Sequence, residues 1–257
     1  MKIKLINFIK KIIEKNCKKK AITKIPKLEK IIKESKSTGI SYIDIWSLYS
    51  NIRSLKPKCL LECGPGVSTY VIGFAMYENY LETKTYTEMT CLEDQEIYYN
   101  DVKKFIYPDF KTKTNLILTD VSEKVYGCFI GMGYKNIPKK NYDYIFIDGP
   151  SNFSEKYVSK TFNFDLLEIM NFSNANINGI IDERVSTSYV YGQIFKNKIK
   201  YSLFKNLTYI SNVNKNDLET KNYKIFEKNN SVLNLKTLPF KYSFISKNII
   251  IKKSNKN

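Results

Sequence analysis

The sequence predicts an α/β fold built on a largely parallel β-sheet, and three observations lead to that prediction. From residue 57 onward, short apolar runs alternate with segments of helical or loop character. The runs are almost wholly apolar instead of alternating with polar residues, which is typical of parallel strands buried on both faces. In the last third of the chain, residues 201–210 and 240–252 look like strands without a clear helical pattern between them, which predicts an antiparallel pair at the end of the sheet.

The chain begins with a basic arm, which we assign to residues 1–40. Residues 1–36 contain 13 lysines and 3 acidic residues, a surplus of +10, whereas residues 37–257 contribute only +7. Apolar residues recur at helical spacing between the lysines, at Ile3, Leu5, Ile6, Ile9, Ile12 and Ile13. We expect a helix whose apolar stripe packs on the core. The alternative is a helix that lies on an anionic membrane surface through residues 1–20.

The remaining domain is predicted over residues 41–257. Residues 41–55 have helical spacing, and Pro57 ends that helix. One face of the helix carries Ile45, Leu48, Ile52 and Leu55. Strands are predicted at 59–61, 87–92, 116–118, 144–147 and 179–181, and further helices at 69–81, 94–106 and 160–172. We interpret the Asn- and Lys-rich segment 211–236 as a loop insert.

Composition excludes several classes of function. The chain has 257 residues and no histidine, which excludes mechanisms that need an imidazole base. Its five cysteines are odd in number and form no C-x-x-C pair, so a disulfide scaffold and a zinc ribbon are not favoured and a reducing, cytoplasmic location is expected. No apolar run approaches the ~18 residues of a membrane span, so an integral membrane protein is not expected.

The high positive charge invites a nucleic-acid partner. The formal net charge is +17, yet only Arg53 and Arg184 among the 42 basic residues are arginine. Arginine supplies the planar fork that binds phosphate and guanine through two hydrogen bonds, so a dedicated nucleic-acid reader with so few arginines would be unusual. The chain is a basic protein for which a nucleic-acid partner is not favoured.

Carboxylates follow each of the five predicted strands, at the edge of an open α/β sheet where ligands bind. In chain order they are Glu62, Glu93, Asp120, Asp148 and Asp182. Taken singly, Asp120 and Asp182 are also typical of helix N-caps and turns. Five acids in the same register are harder to explain by capping alone, and we interpret the row as the rim of a ligand site.

The loop after the first strand has the pattern E-x-G-x-G-x-S. Gly64 and Gly66 would let the backbone approach a ligand closely, and the helix that follows points its amides in the same direction. A dinucleotide fingerprint would need glycine at position 69, where the chain has threonine. Glu62 adds a carboxylate that would repel a pyrophosphate, so a cationic ligand without phosphate suits the loop better than NAD.

Five segments in this order resemble the motifs of the class I S-adenosylmethionine-dependent methyltransferases. They are LLECGPGVST, CLEDQEIYY, LTDVSE, YDYIFIDGPSN and GIIDERVSTSY. The resemblance covers roughly residues 41–210 and is greatest to the branch with an LE-x-G-x-G-x-ST first motif and an IDGP fourth motif. It implies a Rossmann-like, doubly wound sheet of seven strands, mostly parallel with an antiparallel last strand, and S-adenosylmethionine as the cofactor.

The resemblance also implies roles for individual residues. The amino-acid end of the cofactor would be held by Glu62, Gly64, Gly66 and Ser68. The ribose diol would be bound by Glu93, the adenine edge by Asp120, and the methionine amine and transferring methyl would lie beside Asp148. The chain departs from the family at Ser68, where a third glycine is often found, and at Glu183, where many relatives have Asp or Asn.

Methyl transfer to a hydroxyl needs a base, and without histidine the candidates are carboxylates. We expect the catalytic residues among Asp148, Glu183 and Asp182, with Tyr189 as a residue that could orient the acceptor. The same three acids could bind a divalent cation, because carboxylate oxygens suit hard cations. We favour the alternative in which they serve the cofactor and local turns, with no metal.

The expected function is methylation of a small-molecule or sugar-type acceptor, at oxygen. One alternative is an RNA or protein methyltransferase, supported only by the lysine-rich arm. Another is a non-catalytic subunit of the same fold that docks on a membrane or an acidic partner through the arm. The chain has no N/D-P-P-Y-type motif, which is typical of methylation at amino groups of nucleic acid.

Overall fold

The computed structural model describes residues 2–37, 39–127, 129–154, 159–218, 245–246 and 249–250. The α-helices are α1 Lys2–Lys24, α2 Leu28–Glu34, α3 Tyr42–Leu55, α4 Val67–Thr83, α5 Glu96–Val102, α6 Asp165–Met170 and α7 Val185–Phe195. The strands are β1 Cys59–Cys63, β2 Glu88–Glu93, β3 Thr114–Leu118, β4 Val121–Tyr126, β5 Phe129–Tyr134, β6 Tyr144–Ile147, β7 Phe153–Ser154, β8 Ser159–Lys160, β9 Phe162–Asn163, β10 Ile177–Asp182, β11 Ile199–Ser202, β12 Leu207–Val213, β13 Ile245–Ser246 and β14 Ile249–Ile250. Short 3₁₀ helices span Pro108–Lys113, Lys196–Lys198 and Lys215–Leu218.

The main sheet has seven strands in the order β11-β12-β10-β6-β1-β2-β3. Neighbouring strands from β10 to β3 pair in parallel, and β12 pairs antiparallel with both β10 and β11. The chain reverses its direction of winding after β3, returning to place β6 on the other side of β1. The prediction of a doubly wound, mostly parallel sheet with an antiparallel last strand is confirmed.

Apolar strands place core residues on both faces of this sheet. Leu60 and Phe146 point to the face covered by α1 to α4, whereas Leu61 and Ile147 point to the face covered by α6 and α7. All four side chains are buried. The strands therefore read as continuous apolar runs because water reaches neither side.

Three predictions about the later part of the chain need correction. The antiparallel pair is formed within residues 199–213 by β11 and β12, and the described residues of 240–252 pair only with each other as β13 and β14. The helix predicted at 160–172 is shorter, because β9 and part of β8 occupy its start. The predicted insert 211–236 begins inside β12, and its part from residue 219 onward lies outside the described residues.

A β-hairpin was not predicted from the sequence. Strands β4 and β5 pair antiparallel, and β5 also pairs in parallel with β9 in a small separate sheet. Polar residues such as Ser122, Glu123 and Lys124 obscure the strand pattern of β4, and Gly131 and Gly133 interrupt that of β5. Glycine is weak in strands, but here a Cβ at Gly131 would meet the Phe162 ring at 2.9 Å, so the close packing of β5 on β9 requires it.

The basic arm packs on the sheet domain through the second half of α1 and through α2. Ala21, Ile25 and Leu28 are buried in the core that also contains α3 and α4. Glu14 accepts hydrogen bonds from the backbone amides at the start of α3, those of Tyr42 (2.9 Å) and Ile43 (3.1 Å). A carboxylate at a helix N-terminus stabilises it through unsatisfied amides and the helix dipole. The division into domains at residue 40 stays a prediction.

Helix α3 confirms the predicted apolar face in part. Ile45, Leu48 and Ile52 are buried, whereas Leu55 is 45% exposed at the last turn. Ser41 and Asp44 form a reciprocal capping box at its start. Among the described residues, no helix is both long enough and apolar enough to cross a bilayer.

Candidate functional site

A cleft of about 250 Å³ opens at the carboxyl ends of β1, β2 and β6. This is the edge at which the sequence places its row of acids, next to the point where the winding reverses. The lining residues are Ser37, Gly64, Pro65, Glu93, Asp94, Gln95, Tyr98, Tyr134, Asp148, Gly149, Pro150, Ser151 and Arg184. Of the predicted site residues, Gly64, Glu93 and Asp148 therefore share one cavity.

The floor of the cleft is formed where the loops after β1 and β6 touch. Gly64 has φ +82°, and a Cβ added there would lie 2.5 Å from the backbone nitrogen of Gly149. A Cβ at Gly149 would in turn lie 2.5 Å from the Cα of Gly64. Only glycine permits both the left-handed backbone at Gly64 and this approach of one chain to the other. The role of Gly64 beside a ligand stays a prediction.

Glu62 lies beneath this floor and not at the mouth of the cleft. Its side chain is fully buried and accepts hydrogen bonds from the hydroxyls of Ser68 (2.7 Å) and Thr69 (2.8 Å). Burial raises the pKa of Glu62 to about 7, and these two hydrogen bonds oppose the rise. Both carboxylate oxygens are thus used to tie the end of β1 to the first turn of α4.

Gly66 and Ser68 also make their contacts within the fold. Gly66 precedes α4, and its amide donates to the hydroxyl of Thr69 (3.1 Å). A Cβ at Gly66 would lie 2.5 Å from the hydroxyl oxygen of Ser37, so the end of the basic arm rests directly on this glycine. Ser68 is buried, and its hydroxyl donates to Glu62. Direct contacts of Glu62, Gly66 and Ser68 with a cofactor stay predictions.

Glu93 ends β2 and lines the cleft with its neighbour Asp94. Glu93 is only 5% exposed, and its Oε1 accepts from the backbone amide of Gln95 at 2.9 Å. Burial, reinforced by repulsion from Asp94 and Asp148, raises the pKa of Glu93 to about 7. Burial also raises the pKa of Asp94, while Arg184 opposes that rise.

Asp120 is placed away from the cleft. Its side chain is 79% exposed and forms an ion pair with Lys135 at 3.0 Å. The backbone carbonyl of Asp120 also accepts from the amide of Lys135 (2.9 Å), which closes the open end of the β4–β5 hairpin. The chain that follows Asp120 continues as strand β4 of this hairpin instead of turning over a ligand. The hairpin was not predicted from the sequence.

Asp148 ends β6 and faces Arg184 across the cleft. Its side chain is 46% exposed, and one oxygen lies 4.0 Å from the guanidinium of Arg184. The same guanidinium donates to the backbone carbonyls of Asp148 and Pro150. Enclosure raises the pKa of Asp148 to about 6, against the opposing effect of Arg184 and with added repulsion from Asp44 and Glu183.

The acids after β10 lie behind Asp148. Asp182 is 6% exposed, and its buried Oδ1 has no hydrogen-bond partner among the described residues. Burial and repulsion from Asp44 and Asp148 raise the pKa of Asp182 far above the usual range of an aspartate. Glu183 is exposed, has φ +42°, and accepts a hydrogen bond from the side-chain amide of Asn206 at 3.2 Å. Neither Asp182 nor Glu183 lines the cleft.

The interpretation in which Asp148, Asp182 and Glu183 serve the cofactor and local turns, with no metal, stays a prediction. Within the parts of the chain that the structure describes, no three Cys, Asp or Glu side chains are grouped so that they could hold a metal ion. Burial, together with repulsion from Asp44, Asp148 and Glu183, raises the pKa of Asp182 and so favours its protonated form. These acids therefore lie close enough to repel one another, and the guanidinium of Arg184 lies beside Asp148.

Solved structures with a similar fold include three methyltransferases. A methyltransferase from Geobacter sulfurreducens is 13% identical, with a TM-score of 0.47 over 71% of this chain and 85% of that chain. An SAH-bound methyltransferase from Podospora anserina is 15% identical, with a TM-score of 0.41 over 79% and 88%. An O-methyltransferase from Bacillus cereus in complex with SAH is 12% identical, with a TM-score of 0.40 over 83% and 82%. The sequence matches no protein-family model and no curated protein. The fold assignment rests on the sheet order of the chain itself.

Tyr134 and Ser37 are two of the lining residues that were not predicted from the sequence. Tyr134, at the end of β5, is fully buried, and its hydroxyl has no hydrogen-bond partner among the described residues. Ser37 comes from the basic arm, held in place where Asp101 accepts from the amide of Lys36 at 2.6 Å. The chain has 20 tyrosines, and Ser37 lies in no motif, so no local signal marks either residue. Only the hairpin and the path of the arm bring them to the cleft.

A larger groove of about 600 Å³ lies elsewhere, between α2 and the segment that follows α5. It is lined by Tyr70, Phe105 and Tyr107 among apolar residues and by Lys27 and Lys30 among charged ones. None of the predicted site residues lines it. We do not take this groove as the candidate site, although it is larger than the cleft, because it lacks the row of strand-end acids.

Proposed function

We propose that the protein is an S-adenosylmethionine-dependent methyltransferase that acts on a small-molecule or sugar-type acceptor, at oxygen. One observation carries the proposal. Glu93, Asp94 and Asp148 line a single cleft at the carboxyl edge of the sheet, each with a raised pKa, and among the described residues Arg184 is the only cation that lines it with them. Such a cleft favours a cationic ligand and disfavours an anionic one.

The cofactor fits this requirement by its charges. S-adenosylmethionine carries a sulfonium, an ammonium and a carboxylate group but no phosphate, so it brings a net positive charge to a cleft that would repel a nucleotide diphosphate. The volume of about 250 Å³ lies just below the range typical of small-molecule sites, so part of the ligand would lie along the open rim. The unpartnered hydroxyl of Tyr134 offers a further polar contact at the floor.

Each lining residue has a proposed part in holding the cofactor. Glu93 would accept hydrogen bonds from the two ribose hydroxyls, because the sequence and the cleft both put it at the end of β2. The Gly64 backbone would pass beneath the amino-acid part, and Asp148 would face its ammonium group. When bound, the cofactor supplies a methyl group that is electrophilic because it is attached to a positively charged sulfur.

The chain would contribute positioning, exclusion of water and a base. Asp148 is the proposed base, since it lines the cleft and its pKa of about 6 leaves it ionised at neutral pH. Asp182 is a weaker candidate, because it does not line the cleft and its raised pKa favours the protonated form. Glu183 and Tyr189 stay candidates for contact with the acceptor, and Asp120 stays a candidate only by resemblance, since it lies outside the cleft.

Calorimetry with the full chain tests the proposal. We expect S-adenosylmethionine and S-adenosylhomocysteine to bind and ATP not to bind, because phosphates would meet the carboxylates of the cleft. Tight ATP binding together with no binding of S-adenosylmethionine would overturn the assignment. Binding without turnover on small hydroxyl acceptors would favour the non-catalytic alternative, and turnover confined to RNA or protein would favour the other.

A further inference from the structure

The first half of α1 presents a face that the core does not cover. Buried Cys17 and Ala21 and half-buried Glu14 mark the side of the helix that packs on the rest of the chain. At 3.6 residues per turn, the opposite side carries positions 8, 12, 15 and 19. These positions are Phe8, Ile12, Lys15 and Lys19, and all four side chains are exposed.

This outward stripe combines large apolar side chains with lysines. Phe8 is 61% exposed and Ile12 is 45% exposed, one turn apart. Lys11, Lys15 and Lys19 lie beside or after them, and none of the three has an ion-pair partner among the described residues. A solvated helix does not need a phenylalanine and an isoleucine at the centre of its polar side, so the stripe points to a partner.

The prediction for this arm is thus corrected in its orientation. The sequence suggested a single apolar stripe that either packs on the core or meets a membrane. In the structure the second half of the arm packs inward through Ala21 and Ile25, while Phe8 and Ile12 face outward from the first half. One helix can therefore anchor to the sheet domain and still offer a free surface.

A second apolar point lies next to this helix. The ammonium group of Lys10 donates to the side-chain oxygen of Asn206 at 2.6 Å, in the turn between β11 and β12. The same turn exposes Leu203 (49%) and Phe204 (40%). Asn206 also donates to Glu183, which follows β10, so the first half of α1 lies at the carboxyl edge of the sheet, the edge where the cleft opens.

We propose that the stripe Phe8, Ile12, Lys15 and Lys19 is a docking surface for an anionic lipid bilayer. Lysines bind the phosphate and carboxylate groups of lipid heads, and the apolar side chains enter the acyl boundary beneath them. The proposal holds whether or not the chain transfers methyl groups. It would bring the open rim of the cleft close to the membrane surface.

Charge and side-chain chemistry favour lipid over nucleic acid as the occupant. The arm of residues 1–36 has 13 lysines and no arginine, and it lacks the forked donors that bind RNA phosphate specifically. An exposed aliphatic residue such as Ile12 gains nothing from a base stack, because stacking needs an aromatic or planar side chain. An acyl interface accepts both aliphatic and aromatic side chains.

Vesicle co-sedimentation with the full chain tests the docking surface. The probes are vesicles of phosphatidylcholine alone and vesicles of phosphatidylcholine mixed with phosphatidylserine. We expect binding only to the anionic vesicles, falling as salt is added. The double variant Lys15→Glu, Lys19→Glu should bind roughly tenfold or more weakly, because two attractive charges become repulsive. Phe8→Ser with Ile12→Ser should weaken binding with the salt dependence retained.

The matched control is Lys84→Glu with Lys139→Glu, which makes the same change in net charge at exposed lysines in loops that lead into the amino ends of β2 and β6. Its binding should stay within about twofold of the original chain. Equal loss in both double variants would overturn the proposal, since it would reflect net charge alone. Binding to a single-stranded RNA probe with no binding to anionic vesicles would overturn it in favour of RNA. Thermal unfolding midpoints and S-adenosylmethionine binding of every variant show whether the fold and the cleft are intact.

Discussion

Two strand ends at the same edge of the sheet use their carboxylates in opposite ways. Near the end of β1, Glu62 is fully buried and both of its oxygens accept hydrogen bonds from hydroxyls of the next helix. After β6, Asp148 lines the cleft, and its nearest cation is a guanidinium 4.0 Å away that mainly donates to backbone carbonyls. The carboxylate of Glu62 is fully used by hydrogen bonds within the fold, whereas the carboxylate of Asp148 remains free to interact with a ligand.

The difference teaches what separates a structural acid from a site acid. Both residues follow apolar strands and look alike in the sequence. What distinguishes them is the number of donors that the next turn supplies: Ser68 and Thr69 supply two to Glu62, whereas Gly149 and Pro150 have no side-chain donor to offer Asp148. Asp148 therefore remains available to a ligand.

Removing Glu62 should give the largest effect, and it should fall on stability. Glu62→Ala leaves two buried hydroxyls without their acceptor and opens a cavity, so the free energy of unfolding should fall by about 2–4 kcal/mol in urea titrations. Glu62→Gln is the matched control and should stay within about 1 kcal/mol at pH 7. A stable alanine variant that has lost cofactor binding would instead make Glu62 a site acid.

Asp148→Asn should have the reverse effect of Glu62→Ala, reducing activity and not stability. We expect a loss of turnover of about 10²-fold or more, because the amide cannot accept a proton. Stability should be unchanged or raised, since one member of a repelling group of acids is neutralised. Chemical unfolding and turnover measured on the same preparation separate the two effects, and a lowered unfolding midpoint with normal turnover would contradict the assignment.

Glu93→Ala should weaken S-adenosylmethionine binding by about 1–3 kcal/mol, because two ribose hydroxyls lose a charged acceptor. Isothermal titration calorimetry measures the change directly. Glu96→Ala, an exposed acid in the first turn of α5, is the matched control and should bind normally. An unchanged dissociation constant for Glu93→Ala would remove Glu93 from the site.

Lowering the pH should weaken cofactor binding over a pH range that is set by the pKa of Glu93. In the ligand-free protein, burial raises the pKa of Glu93 to about 7, and a cationic ligand needs the ionised form. Affinity should therefore fall as pH drops below 7 and be roughly tenfold lower at pH 6 than at pH 8. Glu93→Gln should flatten this profile, and an equally steep profile in that variant would assign the titration to another group.

Asp120→Ala should have the smallest effect. Asp120 is exposed and paired with Lys135 on the hairpin, and exposed ion pairs contribute little to stability. We expect neither the unfolding midpoint nor the dissociation constant of S-adenosylmethionine to change measurably. A clear loss of binding would mean that the hairpin brings Asp120 to the ligand in the complex, as the resemblance implies.

The sheet could be predicted from the sequence because burial on both faces leaves a mark in every strand. Strand β6 is apolar along its whole length, and its predicted bounds at 144–147 agree with the structure. The β4–β5 hairpin left no such mark, since β4 is half-buried along most of its length and carries charged residues such as Glu123 and Lys124. Without that hairpin, the exposed position of Asp120 and the buried one of Tyr134 could not be foreseen.

The candidate site was predictable only as far as residues lie at strand ends. Glu93 and Asp148 belong to the cleft because each directly follows a strand that points at it. Ser37 belongs to it because the arm crosses to Asp101 in α5, a contact between residues 65 positions apart. A strand-end acid either faces the cleft or accepts hydrogen bonds from the fold beneath it. Which of the two occurs depends on the donors around the side chain, and the spacing of a motif does not reveal those donors.

The contact between Gly64 and Gly149 leaves no room for a side chain on either residue. A Cβ added at one of them would overlap backbone atoms of the other, so the loops after β1 and β6 would have to separate. The second loop contains Asp148 and the Pro150 carbonyl that accepts from Arg184. We therefore expect a substitution at Gly64, in the first loop, to disturb Asp148 and Arg184 on the other side of the cleft.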